Sequence, residues 1–500
     1  MNDMFRGFDR REDLAKKKEL REHQVRAIGM LRRSMGRAPL GLGNKRVVLQ
    51  APTGAGKTLI SAKLIEGALA KENRVIFTAP AISLIDQTVA AFEAEGITGI
   101  GVLQASHPRT DPLARVQVAS VQTLAKRDIP AASMVIVDEC HLRAKVIERL
   151  MSERPDVYFI GLSATPWAKG MGLLWQDLVI PTSIGDLIER GYLSRFRVFA
   201  PDVPDMSGVK TVAGDYDEGQ TAEVMSGKTI TASVVETWLE RGEGRPTLLF
   251  AVNRAHAKQL FEAFERAGVA SAYVDAYTDV VERQIIERRF RSGEVKIACS
   301  VRTLTTGIDW PVGCIVDAAP TKSEMLHVQR IGRGLRVNPG IDGCLILDHA
   351  GNSLRLGLVT DIRHERLDDT AAGPQKTRAQ ADKLPKPCPG CGELLTGLQC
   401  QSCGFLRKPV SGVEVVEGEL VEIAGKKAAP TREEKQAWWS GLLSVAKHRG
   451  RAKGWASHTY RDRFGVWPKG LDYVLGEVTP EMWNYVKAKD IRFAKRRQNA

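Results

Sequence analysis

The chain has 500 residues, 43% of them hydrophobic and 26% charged, the balance of an ordinary globular protein with roughly two to four domains. No window approaches the ~20 apolar residues needed to cross a bilayer, and Met1 to Lys18 carry both signs of charge without an apolar core. Membrane and secreted proteins are therefore excluded and a cytoplasmic one is expected, while the net charge of +13 points to a polyanionic partner.

After an N-terminal extension (1–18), residues 19–183 alternate strand-like and helix-like patterns. Strands are expected at Lys45–Gln50, Arg74–Ala79, Val116–Ser120, Met134–Val137 and Tyr158–Leu162, with amphipathic stretches between most of them. That alternation predicts a parallel sheet with helices on both faces. The first strand runs into Ala51-Pro52-Thr53-Gly54-Ala55-Gly56-Lys57-Thr58. Glycines let backbone N–H groups curl around phosphates, Lys57 adds a point charge, and Thr58 offers a hydroxyl to Mg²⁺. The first position is Ala where the strict pattern has Gly. The fourth strand ends in Asp138-Glu139-Cys140-His141. Two adjacent carboxylates at a strand end suit a Mg²⁺ partner and a residue that orients an attacking water.

A second alternating block, 184–365, has expected strands at Thr247–Val252, Ala270–Val274, Lys296–Ser300, Cys314–Asp317 and Cys344–Leu347, and no phosphate loop of its own. Within it, Pro201 to Lys228 is turn-rich and acidic and reads as a surface excursion. Past Gly351 the periodicity fades into a linker (366–386). Cys140, Cys299, Cys314 and Cys344 are scattered singly and read as small buried residues. Cys388, Cys391, Cys400 and Cys403 instead form two Cys-x-x-Cys knuckles eight residues apart, the pattern of a tetrahedral Zn²⁺ site in a ribbon over 387–408, with a redox pair as the alternative. An acidic hinge (409–430) leads to a basic domain (431–500) with fifteen Lys and Arg against seven Asp and Glu, and five of the nine tryptophans: Trp438, Trp439, Trp455, Trp467 and Trp483. Two readings stand side by side there. The rings stack on bases while the cations track a phosphate backbone, or the rings are the core of a small domain with a solvated basic face. Trp438 and Trp439 point about 100° apart on a helix, so one of the pair is expected in the core and Lys447–Lys453 at the contact surface.

Further short motifs fall in a fixed order: Leu20-Arg21-Glu22-His23-Gln24, Ser163-Ala164-Thr165-Pro166, Thr305-Thr306-Gly307-Ile308-Asp309, and Gln329-Arg330-Ile331-Gly332-Arg333-Gly334-Leu335-Arg336. With the phosphate loop and the Asp-Glu-Cys-His box, they resemble the superfamily 2 helicases over about residues 19–350, nearest the XPB-like proteins and bacterial RadD. The resemblance implies an α/β fold: two RecA-like parallel-sheet lobes in tandem with ATP between them, then a small zinc ribbon and a small C-terminal domain. It implies that Gln24 reads the adenine edge, and that Thr53, Gly54, Ala55, Gly56, Lys57 and Thr58 hold the phosphates and Mg²⁺. Asp138 would bind Mg²⁺ through water and Glu139 activate the attacking water. Arg333 and Arg336, three apart on an expected helix, would be arginine fingers, with Gln329 one turn earlier on the nucleotide or the attacking water. Thr306, Gly307 and Asp309 match the motif that senses nucleotide and strand, and His141, Ser163 and Thr165 the network that couples lobe closure to hydrolysis.

Pro80, Gln87, Ser120, Gln122 and Thr123 match positions that touch backbone phosphates, contacts that position a strand without reading its sequence. Ser, Thr and Gln at loop starts are also common helix caps. DNA, single-stranded or branched, is favoured by analogy with the branch, in replication, recombination or repair, with a repair protein as a further partner of the C-terminal domain. An RNA-remodelling ATPase, a non-catalytic DNA-binding module and the motor of a restriction or defence complex are the alternatives. The ribbon is shorter than the knuckles of RadD proteins. The tail does not match theirs and looks like the C-terminal region of some phage helicases.

Overall fold

The computed structural model describes residues 18–36, 43–200, 204–305, 309–369, 384–397, 399–400, 402–406 and 430–498. The N-terminal extension (except Lys18), most of the expected linker and the acidic hinge lie outside the described residues. The chain divides into two compact units, Met1–Pro409 and Val410–Ala500.

The first unit begins with a seven-stranded sheet: β1 (Arg46–Gln50), β2 (Val75–Ala79), β3 (Ile100–Leu103), β4 (Val116–Ser120), β5 (Met134–Asp138), β6 (Tyr158–Ser163) and β7 (Asp177–Val179). Their order is β3-β4-β2-β5-β6-β1-β7, and every pairing is parallel. Parallel strands are covered on both faces, which is why β1, β2 and β5 read as apolar runs without alternation. The order matters for function because β6 lies between β1 and β5, with Gln50 beside Ser163 and Asp138 beside Leu162. The phosphate loop and the acidic pair thus flank the Ser163–Thr165 turn at one edge, the carboxyl edge where open α/β sheets bind ligands.

The second lobe contributes β8 (Phe196–Phe199), a hairpin of β9 (Thr211–Val212) and β10 (Asp215–Tyr216), then β11 (Thr247–Ala251), β12 (Ser271–Val274), β13 (Ile297–Ser300), β14 (Cys314–Ala318) and β15 (Cys344–Asp348). Its six-stranded sheet runs β12-β13-β11-β14-β15-β8, again all parallel. Three strands of the two large sheets escape the sequence reading: β3 carries Gly101, β7 has three residues, and β8 breaks its apolar run with Arg197. The stretch expected as a surface excursion holds the hairpin and a helix, Glu218–Met225, capped by Asp217. Asp215 fastens it to the lobe, accepting from Thr321 Oγ1 at 2.6 Å and from the Lys322 amide at 2.7 Å.

One buried apolar cluster takes in residues of both lobes, including Ile60, Ile65 and Phe92 from the first and Phe250, Phe290 and Leu335 from the second. Burying such a side chain stabilises by about 1.5–3 kcal/mol. The cysteine ribbon, with β16 (Lys386–Pro387) and β17 (Leu394–Leu395), sits at the open edge of the second sheet, where Glu393 bridges to Phe199 of β8 and Leu394 joins the same core.

Among the described residues, the second unit has three helices, Arg432–His448, Lys453–Phe464 and Pro480–Gln498. The first starts on a capping box between Thr431 and Glu434. Its core gathers Trp439, Leu442, Leu443, Val445, Tyr460 and Val486, with Trp438, Trp455 and Trp483 half-buried at the margin. One of the adjacent tryptophans is core, as their divergence on a helix requires. No helix among the described residues is long and apolar enough to cross a membrane.

Candidate nucleotide site in the cleft

The phosphate loop turns on Gly54 and Gly56, both in the left-handed region at φ 84° and 83°. A Cβ on Gly56 would be strained at this φ and would meet Gln24 Nε2 at 2.2 Å, displacing that amide from the Ala55 carbonyl. Ala51, the departure from the strict motif, is 1% exposed and packs as a small core residue. The helix Lys57–Leu69 starts at Gly56, leaving its first amides free for an anion. Beside the loop opens a cleft of about 590 Å³ lined by Arg21, Gln24, Gly54, Gly56 and Thr58, within the range of small-molecule sites.

Lys57 Nζ lies 3.4 Å from Glu139 Oε1. Burial pushes Asp138 up to about 6 despite the Lys57 charge. Burial also acts to raise Glu139, but the Lys57 charge, with Arg333 behind it, outweighs burial and holds this carboxyl below its ordinary value. The two acids are therefore set apart: Glu139 is the firmly ionised one. Asp138 Oδ1 is buried without a hydrogen-bond partner, and a hard divalent cation is the kind of group that fits it. Glu139 itself has φ 48°, a left-handed conformation that costs a non-glycine residue and occurs at functional sites.

The coupling residues do come together. His141 Nδ1 is 2.8 Å from Ser163 Oγ and 3.4 Å from Glu139 Oε2. The Thr165 amide donates to Ser163 Oγ at 3.0 Å. From the second lobe, Gln329 Nε2 donates to Thr165 Oγ1 at 3.0 Å and reaches His141 Nε2 at 3.2 Å. With an amide donor on Nε2, the partners assign the imidazole proton to Nδ1. Burial lowers the His141 pKa, favouring that neutral form.

Arg333 and Arg336 do not share a helix face. The helix Glu324–Ile331 ends at Gly332, and both arginines lie in the turn beyond it. Close neighbours surround the two glycines of this turn: a Cβ on Gly332 would be 3.3 Å from Thr53 Oγ1, and one on Gly334 would be 2.3 Å from Cys344 Sγ. Arg333 is 7% exposed and near enough to help hold Glu139 ionised, while burial and Arg336 bring its own pKa down to about 10. Arg336 turns away and pairs with Asp309 at 2.5 Å. Gln24 lines the cleft, and its amide donates to the Ala55 carbonyl at 3.0 Å and accepts from the Arg21 amide at 2.9 Å, so it also braces the phosphate loop. Thr306 and Gly307 lie outside the described residues.

Of the expected strand contacts, Gln87 and Gln122 are exposed, and Gln122 Nε2 donates to the Pro80 carbonyl at 3.3 Å. Ser120 is fully buried and caps the next helix, accepting from the Thr123 amide, which makes it a structural cap. Arg330, inside the last motif but given no role from sequence, is buried against Asp317 at 3.1 Å and the Ala319 carbonyl at 2.6 Å. It fixes the helix Glu324–Ile331 to β14. The only signal for it was an Arg between Val328 and Ile331, both on the buried side of that helix.

In the ribbon, all four Sγ atoms of Cys388, Cys391, Cys400 and Cys403 lie within 4.8 Å of one another. Each knuckle closes on a backbone bond, Gly392 N to Cys388 O and Gly404 N to Cys400 O, with both glycines left-handed. The Gly390 amide also points at Cys388 Sγ, 3.4 Å away. Four soft ligands so placed fit Zn²⁺.

The N-terminal lobe matches the family described as "Type III restriction enzyme, res subunit" over residues 17–168, and the second lobe matches "Helicase conserved C-terminal domain" over 230–338. The chain belongs to the superfamily 2 helicases, of the type III restriction and XPB-like kind. Its helicase domains and the ATP-dependent helicases among its relatives make it an ATP-hydrolysing helicase. A "51.5 kDa protein" of Lactococcus phage (isolate 7-9) is 27% identical over 367 residues, 71% of this chain and 77% of its own length. The ATP-dependent DNA helicase uvsW of Enterobacteria phage T4 is 25% identical over 59% of this chain, and the match spans 63% of that protein. Among solved structures, the ATP-dependent Type ISP restriction-modification enzyme LlaBIII, bound to DNA, shares the fold with a TM-score of 0.50 and 18% identity, covering 66% of this helicase chain and 28% of that one.

Proposed function

We propose that this helicase is a DNA motor, coupling ATP hydrolysis to translocation along, or unwinding of, single-stranded or branched DNA in replication, recombination or repair. The observation that carries the coupling is the Gln329 amide of the second lobe, bonded at once to Thr165 and His141 of the first. Lobe closure then completes the site in which Lys57 and Thr58 hold the phosphates, Asp138 holds Mg²⁺, Glu139 takes the proton of the attacking water and Arg333 meets charge developing on the γ-phosphate. DNA is supported by the name of the T4 relative and by the charge of the C-terminal domain, where Arg449, Arg461 and Arg463 lie over Trp483, Trp467 and Trp438 at 4.6–5.1 Å. The four ribbon cysteines take one Zn²⁺.

A second reading, the motor of a restriction complex, is favoured by the description of the family that the first lobe matches. ATP turnover measured with single-stranded, forked and Holliday-type DNA, and with RNA of the same sequence, tests the proposal. Stimulation by RNA alone sinks it. Cleavage of DNA in the same assay once a partner protein is added selects the restriction reading.

A further inference from the structure

After the helix Asn352–Leu356 the chain turns at Gly357 (φ 104°) and residues 358–369 leave the second lobe. Leu358 and Ile362 pack on the core common to both lobes, and Leu367 packs on a cluster made wholly of first-lobe residues, among them Ile147, Met171 and Trp175. The Gly172 amide of the first lobe donates to the Asp368 carbonyl at 2.8 Å. The seat is tight, since a Cβ on Gly172 would lie 3.2 Å from that oxygen. Midway along this strap, the His364 ring stacks on Trp167 with centroids 4.5 Å apart and planes at 30°, while Nε2 is 2.7 Å from Glu324 Oε2.

The two partners of His364 are not arbitrary. Trp167 follows Thr165 by two residues. Glu324 opens the helix whose Gln329 reaches back to that same Thr165 and to His141. We propose that His364 is a positioning residue for ATP turnover: stacked on Trp167 and bonded to Glu324, it ties the Ser163–Thr165 turn of the first lobe to the helix of the second that leads into Arg333. Gln329 alone is a flexible side chain with one amide group shared between two partners. The strap adds a second, more rigid link between the same two elements, and so fixes the geometry in which Arg333 approaches Glu139. His364 touches neither nucleotide nor reacting atoms and acts through the elements it joins.

The inference rests on the cleft being the site of ATP hydrolysis, and one experiment separates the two. Steady-state ATP hydrolysis is measured on the full chain with and without saturating single-stranded DNA, together with melting temperature and amide exchange of segment 167–172. His364→Ala is expected to lower kcat by on the order of ten- to a hundredfold, the scale of a small misplacement of catalytic groups. The KM for ATP should stay within about twofold, because lobe 1 still binds nucleotide. His364→Phe, which keeps the stacked ring but loses the bond to Glu324, should recover part of kcat, and only the Ala variant should speed exchange in 167–172. A parent-like kcat in His364→Ala overturns the proposal, as does a His364→Phe variant as slow as Ala, or a loss of kcat matched by a fall in melting temperature. A parent chain without any turnover overturns the cleft reading instead.

Discussion

Gln329 of the second lobe donates its side-chain amide to Thr165 Oγ1 of the first at 3.0 Å. The bond continues a chain of contacts towards the acidic pair, because Thr165 is bonded through Ser163 to His141, which lies 3.4 Å from Glu139; the proposed coupling of lobe closure to chemistry runs along it. Replacing Gln329 by Ala should leave ATP bound, since the phosphate loop belongs wholly to the first lobe. Turnover should fall by on the order of a hundredfold, the usual penalty for losing alignment while keeping the catalytic groups. Single-turnover hydrolysis alongside fluorescent-nucleotide binding checks this, and a parent-like hydrolysis rate would show the bond to be incidental.

The groups proposed to act on the nucleotide and the attacking water should separate by the stage at which they act. Lys57→Ala removes a charge on the phosphates and should weaken binding as well as turnover. Glu139→Gln and Arg333→Ala should bind ATP normally and fail at hydrolysis, with Arg333→Ala slower by about 10³–10⁵ if it acts as an arginine finger. Arg336→Ala should cost far less, because Arg336 is engaged with Asp309. If Arg336→Ala proves the more damaging of the two, the assignment of the finger is reversed.

Asp138 offers a test by pH. Burial raises its folded pKa from 3.8 to about 6. A carboxyl whose folded pKa is raised contributes stability that is fully present below its unfolded value and lost as pH rises through its folded value. Without nucleotide or Mg²⁺, Asp138→Asn should therefore be more stable than the parent at pH 7. That gain should shrink as pH falls from about 6 towards 4, where the parent carboxyl is protonated anyway. The same variant should not hydrolyse ATP. Denaturant midpoints across this range decide it, and a gain that persists unchanged at pH 4 would falsify the burial account.

The ribbon should contain one Zn²⁺ per chain, measurable by metal analysis. So few residues bury too little apolar area to fold alone, and metal binding must supply their folding free energy. Replacing Cys388 and Cys391 by Ser should unfold the ribbon and uncover the edge strand β8, since Glu393 bridges to Phe199 there. Faster amide exchange in 196–199 with an unchanged phosphate-loop region is the expected pattern. Purified protein free of zinc yet equally protected at 196–199 rules out the metal's structural role.

Most of the motor was legible because parallel strands buried on both faces leave apolar runs such as Val47-Val48-Leu49, and because phosphate chemistry demands glycines and a lysine at fixed spacing. What stayed hidden depended on tertiary contacts. Nothing local distinguishes Phe196–Phe199 from a loop until β15 lies beside it. The close neighbours of Gly332 and Gly334, Thr53 and Cys344, are residues distant in sequence. Gln24 likewise faces the phosphate loop, and His364 has no motif at all. Ring-rich basic sequence could not choose between core and contact surface, and the structure divides the rings: Trp439 is 4% exposed and Trp467 is 41% exposed.

The C-terminal domain gives the last prediction, and here the structure changes what the sequence suggested. Arg449 and Arg451, expected at the contact surface, both pair with Asp490, at 2.8 and 3.3 Å. These are partly exposed ion pairs, worth little in stability because water and salt screen them. A phosphate can therefore compete for either guanidinium. Removing residues 431–500 should weaken DNA binding and flatten its salt dependence, since fewer counterions are released. Arg449→Ala should lower the salt slope by about one unit if that side chain contacts a phosphate. Asp490→Asn should do the opposite, freeing two cations and tightening binding at low salt without changing the fold. Trp467→Ala removes an exposed ring and should cost about 1–3 kcal/mol per stacked base with little change in slope. Trp439→Ala should unfold the unit outright. Salt titrations of DNA affinity for these variants give the answer, and an Asp490→Asn variant that binds DNA no better than the parent, together with a tail deletion that leaves the slope unchanged, would make this domain a protein-docking unit.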